Sequence, residues 1–266
     1  MIQLNGKTVS LDRFTDGTLF LQETVKRDYS ENRTATLAWK FENDAETVAV
    51  YYLTRHLQEH GVKTVHLVMP YIPNARQDRV KTDADVFTLK YFAELINSLH
   101  FASVTVLDPH SAVSEGLIDC LVVRTAAENI GKVLREIGCE DILLFFPDEG
   151  AMKRYSDMTD RPFVYGMKKR DWETHEISDM KILGATDLLP GKTVLMVDDI
   201  CSSGKTLLYA AELLKANGAG RIYLYVSHCE NTVLQSELLT KDIVERVFTT
   251  DSVLTVKNEK ITILDC

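Results

Sequence analysis

The chain has 266 residues, enough for one large or two modest domains, and its 45% hydrophobic and 26% charged content is that of an ordinary globular protein. With 39 acidic against 30 basic residues the net charge is −9, which argues against nucleic acid as a partner because duplex binders need a basic face. No apolar run reaches the roughly 18 residues of a membrane span. The start, MIQLNGKTVSLDRF, lacks a secretory layout, and the dispersed Cys120, Cys139, Cys201, Cys229 and Cys266 fit reduced thiols better than a disulfide frame or a zinc site. These features lead to the expectation of a soluble cytoplasmic protein.

In chain order, residues 2–41 alternate in short segments with turns at Asn5-Gly6 and Asp16-Gly17, which predicts hairpins or a small meander. Asn43 with Glu46 three residues on reads as a capping box opening a helix to about His60, with Gly61 as its C′ residue. A strand follows over Lys63–Met69, then a polar, basic loop Pro70–Asp85, a helix over about Val86–His100 and a strand Ser103–Leu107 ending in Asp108-Pro109-His110. From about residue 123 the pattern restarts. Helix Ala126–Ile137 and strand Asp141–Phe146 lead to Pro147-Asp148-Glu149-Gly150, a short helix, strand Arg161–Gly166 and a charged loop from Lys168 to about Asp187. Strand Thr193–Val197, helix Leu207–Ala216, strand Arg221–Val226 and short strands near Val244–Thr249 and Lys260–Leu264 complete the chain. This alternation predicts an α/β fold with mainly parallel sheets flanked by helices, in two similar halves, 1–122 and 123–266. Three strands end in polar chemistry, at Asp108/His110, Asp148 and Asp198/Asp199, and such strand ends are where open parallel sheets bind ligands.

The stretch TVLMVDDICSSGKT, Thr193–Thr206, carries the most chemistry. A buried strand ends in Asp198 and Asp199, carboxylates suited to sugar hydroxyls. The turn Ser202-Ser203-Gly204 and the following helix start, Lys205-Thr206, offer N–H groups to a phosphate. Gly204-Lys205-Thr206 is not a Walker A loop, because Asp199 stands where that motif needs its first glycine. In PYIPNARQDR, Arg76 and Arg79 offer planar forks for phosphate and Gln77 an amide for a base edge or ribose, although these residue types alone read equally as a solvated basic loop.

Thr193–Thr206 resembles the phosphoribosyl-diphosphate (PRPP) loop shared by type I phosphoribosyltransferases and PRPP synthetases. PYIPNARQDR is similar to a segment of the synthetases that simple phosphoribosyltransferases lack, and there its Arg and Gln hold ATP, so the resemblance implies that role for Arg76 and Gln77. In the family's order, Arg13-Phe14-Thr15-Asp16-Gly17 resembles a turn whose aromatic ring stacks on adenine from a neighbouring subunit, which brings Phe14 and Asp16 into the nucleotide site. Asp108-Pro109-His110-Ser111 and Pro147-Asp148-Glu149-Gly150 resemble segments that contact metal, implying His110 and Asp148 as Mg2+ partners. Lys168-Lys169-Arg170 resembles the opening of the mobile catalytic loop, which implies catalytic roles for Lys168 and Arg170. The resemblance therefore implies an ATP-binding N-terminal half, a C-terminal half with the ribose-phosphate loop (Asp198, Asp199, Ser202, Ser203, Gly204, Lys205, Thr206), and a homo-oligomer. Its implied reaction moves the β,γ-diphosphate of ATP to C1 of ribose 5-phosphate and releases AMP.

The sequence departs from the family in several places. The family's leading strand and helix have no counterpart, Thr18 replaces a glutamate, and Asp171 replaces a proline. Ser202 replaces an acid and Lys205 a small residue. A cation there suits an extended, diester-like phosphate, so a larger acceptor such as ADP-ribose is an open alternative to the free sugar phosphate; a Lys205 directed outward leaves the acceptor unchanged. A transferase consuming PRPP, or a catalytically silent regulatory homologue, are the other readings. The first leaves PYIPNARQDR without work, and the second is expected to lose the cations and metal partners that stand here.

Overall fold

The computed structural model describes residues 1–23, 33–170 and 177–266, with the side chains of 168–170 and 177–179 left out of account. The chain divides into Met1–Arg124 and Thr125–Cys266.

In the first unit, β1 (Ile2–Leu4) and β2 (Lys7–Thr8) form a hairpin through Asn5-Gly6, both at positive φ (46° and 78°), as a two-residue turn of this kind demands. A small ribbon, β3 (Asp12–Arg13) with β4 (Leu19–Phe20), turns at Asp16-Gly17. Then follow β5 (Thr34–Trp39), α1 (Ala45–Glu59), β6 (Thr64–Val68), α2 (Thr88–Asn97), β7 (Ser103–Leu107), α3 (Val113–Leu117) and β8 (Leu121–Arg124). The six-stranded sheet runs β2-β1-β5-β6-β7-β8, parallel from β5 to β8. Its core is a single cluster around Trp39, Leu37, Leu57, Leu67 and Met69.

The capping box expected at Asn43 is not what forms. Asn43 Oδ1 accepts from Ala45 N at 3.1 Å, while Glu46 turns inward. Its carboxylate, only 2% exposed, accepts from Trp39 Nε1 (3.0 Å), Glu42 N (2.7 Å) and the N-terminal ammonium. A buried carboxylate persists only with such donors, and Trp39 supplies one that lies seven residues away in sequence.

The second unit contains α4 (Ala127–Ile137), β9 (Ile142–Phe146), α5 (Glu149–Tyr155), β10 (Phe163–Arg170), β11 (Ile177–Gly184), β12 (Thr193–Cys201), α6 (Lys205–Ala216), β13 (Ile222–Cys229), α7 (Glu237–Thr240), β14 (Arg246–Thr250) and β15 (Ile261–Leu264). Its seven-stranded sheet runs β11-β10-β9-β12-β13-β14-β15, all parallel except β11. Strand alternation divides the interior in two. Leu143, Phe145, Val194, Met196, Leu224 and Val226 pack with α6, whereas Ile142, Leu144, Phe146, Leu195, Val197 and Tyr225 pack with residues of α4 and α5. Both faces of β9 and β12 are covered, which is why these strands read as unbroken apolar runs.

Helix α3 and strand β8 were not expected, several element ends shift by a few residues, and two differences bear on the site. Most of the segment expected as a charged loop, Lys168 to Asp187, forms the β10–β11 hairpin, with an irregularity at Lys169/Arg170; only 171–176 fall outside the described residues. An edge ribbon keeps charges along its length, so its composition mimics a loop. Strand β12 also runs past Val197 to Cys201, because Ile200 and Cys201 still pair with His228 and Cys229.

Candidate active site

The parallel register brings sequence-distant loops to the same sheet end within each unit. In the first, Leu107 N donates to Pro70 O at 2.9 Å, so the loops after β6 and β7 leave side by side. Asp78, 8% exposed, ties them: Arg79 donates to it twice, from Nε (2.7 Å) and Nη2 (2.9 Å), and Ser111 Oγ donates at 2.6 Å. The Nε and Nη2 of Arg79, which the sequence offers as a fork for phosphate, are thus bonded to its neighbour. Arg76 is exposed. Gln77 is also exposed, and its Oε1 accepts from Thr88 Oγ1 at 2.9 Å, which orients the amide. His110 is half-buried three residues past the end of β7, and Asp108 before it is buried at a positive φ of 40°.

At the β3–β4 turn, Phe14 is 55% exposed and packs at 4.9 Å against Phe20. Asp16 accepts from Thr18 Oγ1 (2.6 Å) and Thr18 N (2.9 Å), and these bonds, the hydroxyl's first, hold its carboxyl below the usual range. Thr18, where the family carries glutamate, therefore secures this turn.

The hydrogen bond from Arg79 lowers the Asp78 carboxyl to about 2 from 3.8, against burial that raises it, with Ser111 helping. A depressed folded-state pKa contributes stability that is complete above about pH 4 and is lost as pH falls toward 2. Arg79 is 65% exposed, so screening holds the gain to about 1 kcal/mol. Urea midpoints measured across this window are expected to fall less steeply for Asp78→Asn than for the parent; parallel slopes would contradict the assignment.

In the second unit β9 and β12 are parallel neighbours, with Phe145 opposite Met196, so Asp148, just past β9, and Asp198, two residues past Met196 within β12, lie toward the same end of adjacent strands. Asp148 is the N-cap of α5, its Oδ1 accepting from Ala151 N at 2.9 Å. Asp198 is half-buried and accepts from Asp199 N at 3.0 Å. Asp199 is 7% exposed; Ile200 N donates to its Oδ1 at 2.8 Å and Arg154 Nη1 of α5 to its Oδ2 at 2.6 Å. The two acids are thus unequal, one packed against a cation and one nearer solvent.

After β12 the chain turns through Ser202 and Ser203 into Gly204, which precedes α6 in the left-handed conformation, with φ of 72°. A Cβ there would lie 2.9 Å from Ser236 Oγ and 3.1 Å from Leu238 Cδ2. Gly204→Ala therefore combines left-handed strain with a clash, and a loss of about 2 kcal/mol is expected in denaturant unfolding; an unchanged midpoint would contradict this loop geometry. Lys205 and Thr206 begin α6, Lys205 exposed and Thr206 half-buried. Ser202 Oγ donates to Glu230 Oε2 at 2.6 Å, so a carboxylate from the segment after β13 reaches the position where the family carries its own acid. Lys168 and Arg170 lie in β10, their side chains outside the described set.

Sequence reading missed Arg154, Glu230, Asp78 and Ser111. The first two pair across 45 and 28 residues of sequence, with no motif to mark them. An acid inside the basic string at Arg76–Arg79 was the available signal for Asp78.

Among the described residues no three His, Cys, Asp or Glu side chains form a preformed metal cage. Mg2+ does not need one, since it is usually held by one or two carboxylates plus substrate phosphates and water. Asp148 fits that habit as a single carboxylate at the end of β9 and the start of α5.

A parallel sheet with a strand–acid pair–small turn–helix loop at its carboxyl end defines a phosphoribosyltransferase-type unit, and the family model described as phosphoribosyl transferase domain matches residues 158–259. The ribose-phosphate pyrophosphokinase of Thermococcus kodakarensis is 30% identical over 224 residues, 83% of this chain and 77% of that protein. That of Bacillus subtilis is 28% identical over 209 residues (77% and 65%), and that of Corynebacterium ammoniagenes 26% over 259 residues (95% and 79%). The crystal structure of phosphoribosylpyrophosphate synthetase from Mycobacterium smegmatis matches the fold with a TM-score of 0.77 at 18% identity, covering 97% of this chain and 86% of that one. The chain belongs to the ribose-phosphate pyrophosphokinase family, and is an α/β enzyme with two phosphoribosyltransferase-like units.

Proposed function

We propose that the chain transfers the β,γ-diphosphoryl group of ATP to the C1 hydroxyl of ribose 5-phosphate, or of a nucleotide containing it such as ADP-ribose, releasing AMP. The observation that carries this reading is the β12–α6 junction, where paired carboxylates precede a turn that presents backbone N–H groups at a helix start. Family membership and the arginine loop after β6 support the choice of synthetase over a transferase that consumes PRPP.

In this reading the first unit serves the nucleotide. Arg76 carries phosphate charge, Gln77 presents an amide held by Thr88, and Phe14 with Asp16 serves the adenine of a neighbouring copy in a homo-oligomer. The second unit serves the acceptor. Asp198 and Asp199 accept from ribose hydroxyls, and Ser202, Ser203, Gly204, Lys205 and Thr206 take the 5-phosphate. Lys168 and Arg170 stabilise charge that develops on the transferred group, since phosphoryl transfer depends on positioning and cations more than on a strong base. His110 in one unit and Asp148 in the other are each proposed as partners of Mg2+, which when bound supplies charge neutralisation on the phosphates. The setting is cytoplasmic; no described helix is long and apolar enough to cross a membrane.

Lys205, exposed at the start of α6, would meet a second phosphate where the acceptor continues past the 5-phosphate. Magnesium-dependent AMP formation from ATP is expected with a ribose phosphate present and absent without one. Comparing kcat/KM for ribose 5-phosphate and ADP-ribose sets the acceptor. Strong preference for the free sugar phosphate would remove the extended-acceptor reading, and no AMP with either would remove the transfer itself.

A further inference from the structure

Beside the phosphate loop, the outer side of α6 bounds an open cavity of about 680 Å³, a size that fits a nucleotide. It begins at Ser203 and Lys205, so it is continuous with the loop read above as the 5-phosphate site. Lys205, Leu208, Tyr209 and Glu212 line it at helical spacings of three and four, forming one face of α6. Thr232 and Gln235, from the segment between β13 and α7, bring polar groups to the lining.

The charges in the cavity are not equivalent. Glu212 and Glu237 both pair with Lys241 Nζ, at 2.9 and 2.8 Å, so these acids already have a cation. Lys205 makes no ion pair or side-chain hydrogen bond among the described residues and stands at the loop end. Tyr209, one helical turn on, is 39% exposed. A cation next to the phosphate loop, with an exposed aromatic ring about 6 Å further along the helix axis, has the order of a second phosphate followed by a base.

We propose that this cavity is a subsite for a nucleoside phosphate attached to the acceptor's 5-phosphate, with Lys205, at the edge of the 5-phosphate loop, reaching on to the second phosphate and Tyr209 stacking the base. The assignment rests on the 202–206 loop being the acceptor's phosphate site, and it names the residues that separate an extended acceptor from the free sugar phosphate. Base stacking on an aromatic ring typically changes affinity by about five- to 150-fold.

The test compares the wild type with Tyr209→Ala and Tyr209→Phe, using ADP-ribose and ribose 5-phosphate as probes. Tyr209→Ala is expected to raise KM for ADP-ribose about thirtyfold, the middle of the stacking range, and to leave KM for ribose 5-phosphate within about twofold. Tyr209→Phe keeps the ring and is expected to restore ADP-ribose. Equal shifts for both acceptors, or no shift for either, overturn the subsite. Calorimetric titration with ADP-ribose separates this failure from failure of the transfer reading. Binding lost in Tyr209→Ala and kept in Tyr209→Phe supports the subsite even in a protein that forms no AMP, and binding that is absent or indifferent to Tyr209 overturns it.

Discussion

Arg154→Met is expected to cost about 3 kcal/mol of unfolding free energy and to raise KM for the ribose phosphate. Asp199 is 7% exposed and its Oδ2 receives Arg154 Nη1 at 2.6 Å. Removing one partner of a buried pair leaves the other charge without compensation, which costs about 3–5 kcal/mol when both are buried. Arg154 itself is 28% exposed, so the lower end applies. The carboxylate then either takes up a proton or turns toward water, and in both cases its acceptor geometry is lost. Arg154→Lys keeps the charge but not the planar fork, and is expected to recover most of the stability and only part of the KM. Urea unfolding with steady-state kinetics checks both; a variant of normal stability and KM would show that Asp199 needs no positioning residue.

Lys168→Ala and Arg170→Ala are each expected to lower kcat by two to three orders of magnitude with KM for both substrates little changed. This is the scale for removing one preorganised donor to transition-state charge, about 2.7–4 kcal/mol. Both residues lie at the C-terminal end of β10, past Val164, the residue by which this strand enters the core, so folding is expected to survive the change. Initial rates of AMP formation give the answer. A rise in KM at constant kcat would move these cations from the transition state to ground-state binding.

Much of the scaffold was legible because burial on both sides of a parallel sheet writes itself as apolar runs. Ile142–Phe146 and Thr193–Val197 stood out for that reason, and β12 overran its expected end only where Asp198 and Asp199 interrupt the run. The β10–β11 hairpin was hidden because an edge ribbon carries charge on residues that still pair. Glu46 was assigned to a cap by local spacing, while its real partners, Trp39 and the N-terminus, are fixed by tertiary packing.

The candidate site was legible as segments but not as contacts. DDICSSGKT and ARQDR carry their chemistry in residue types and order, yet nothing in them reveals that Arg154 holds Asp199, that Ser111 reaches Asp78, or that Glu230 reaches Ser202. Those pairings come from loops leaving the same end of neighbouring strands, a property of register rather than spacing.

The most direct measurement follows phosphorus through one turnover. With ATP, Mg2+ and a ribose phosphate, 31P NMR of the mixture is expected to show AMP appearing together with an acceptor that carries a diphosphoryl group at C1. ADP with a singly phosphorylated acceptor, or an acceptor left unchanged while ATP is consumed, would contradict the account.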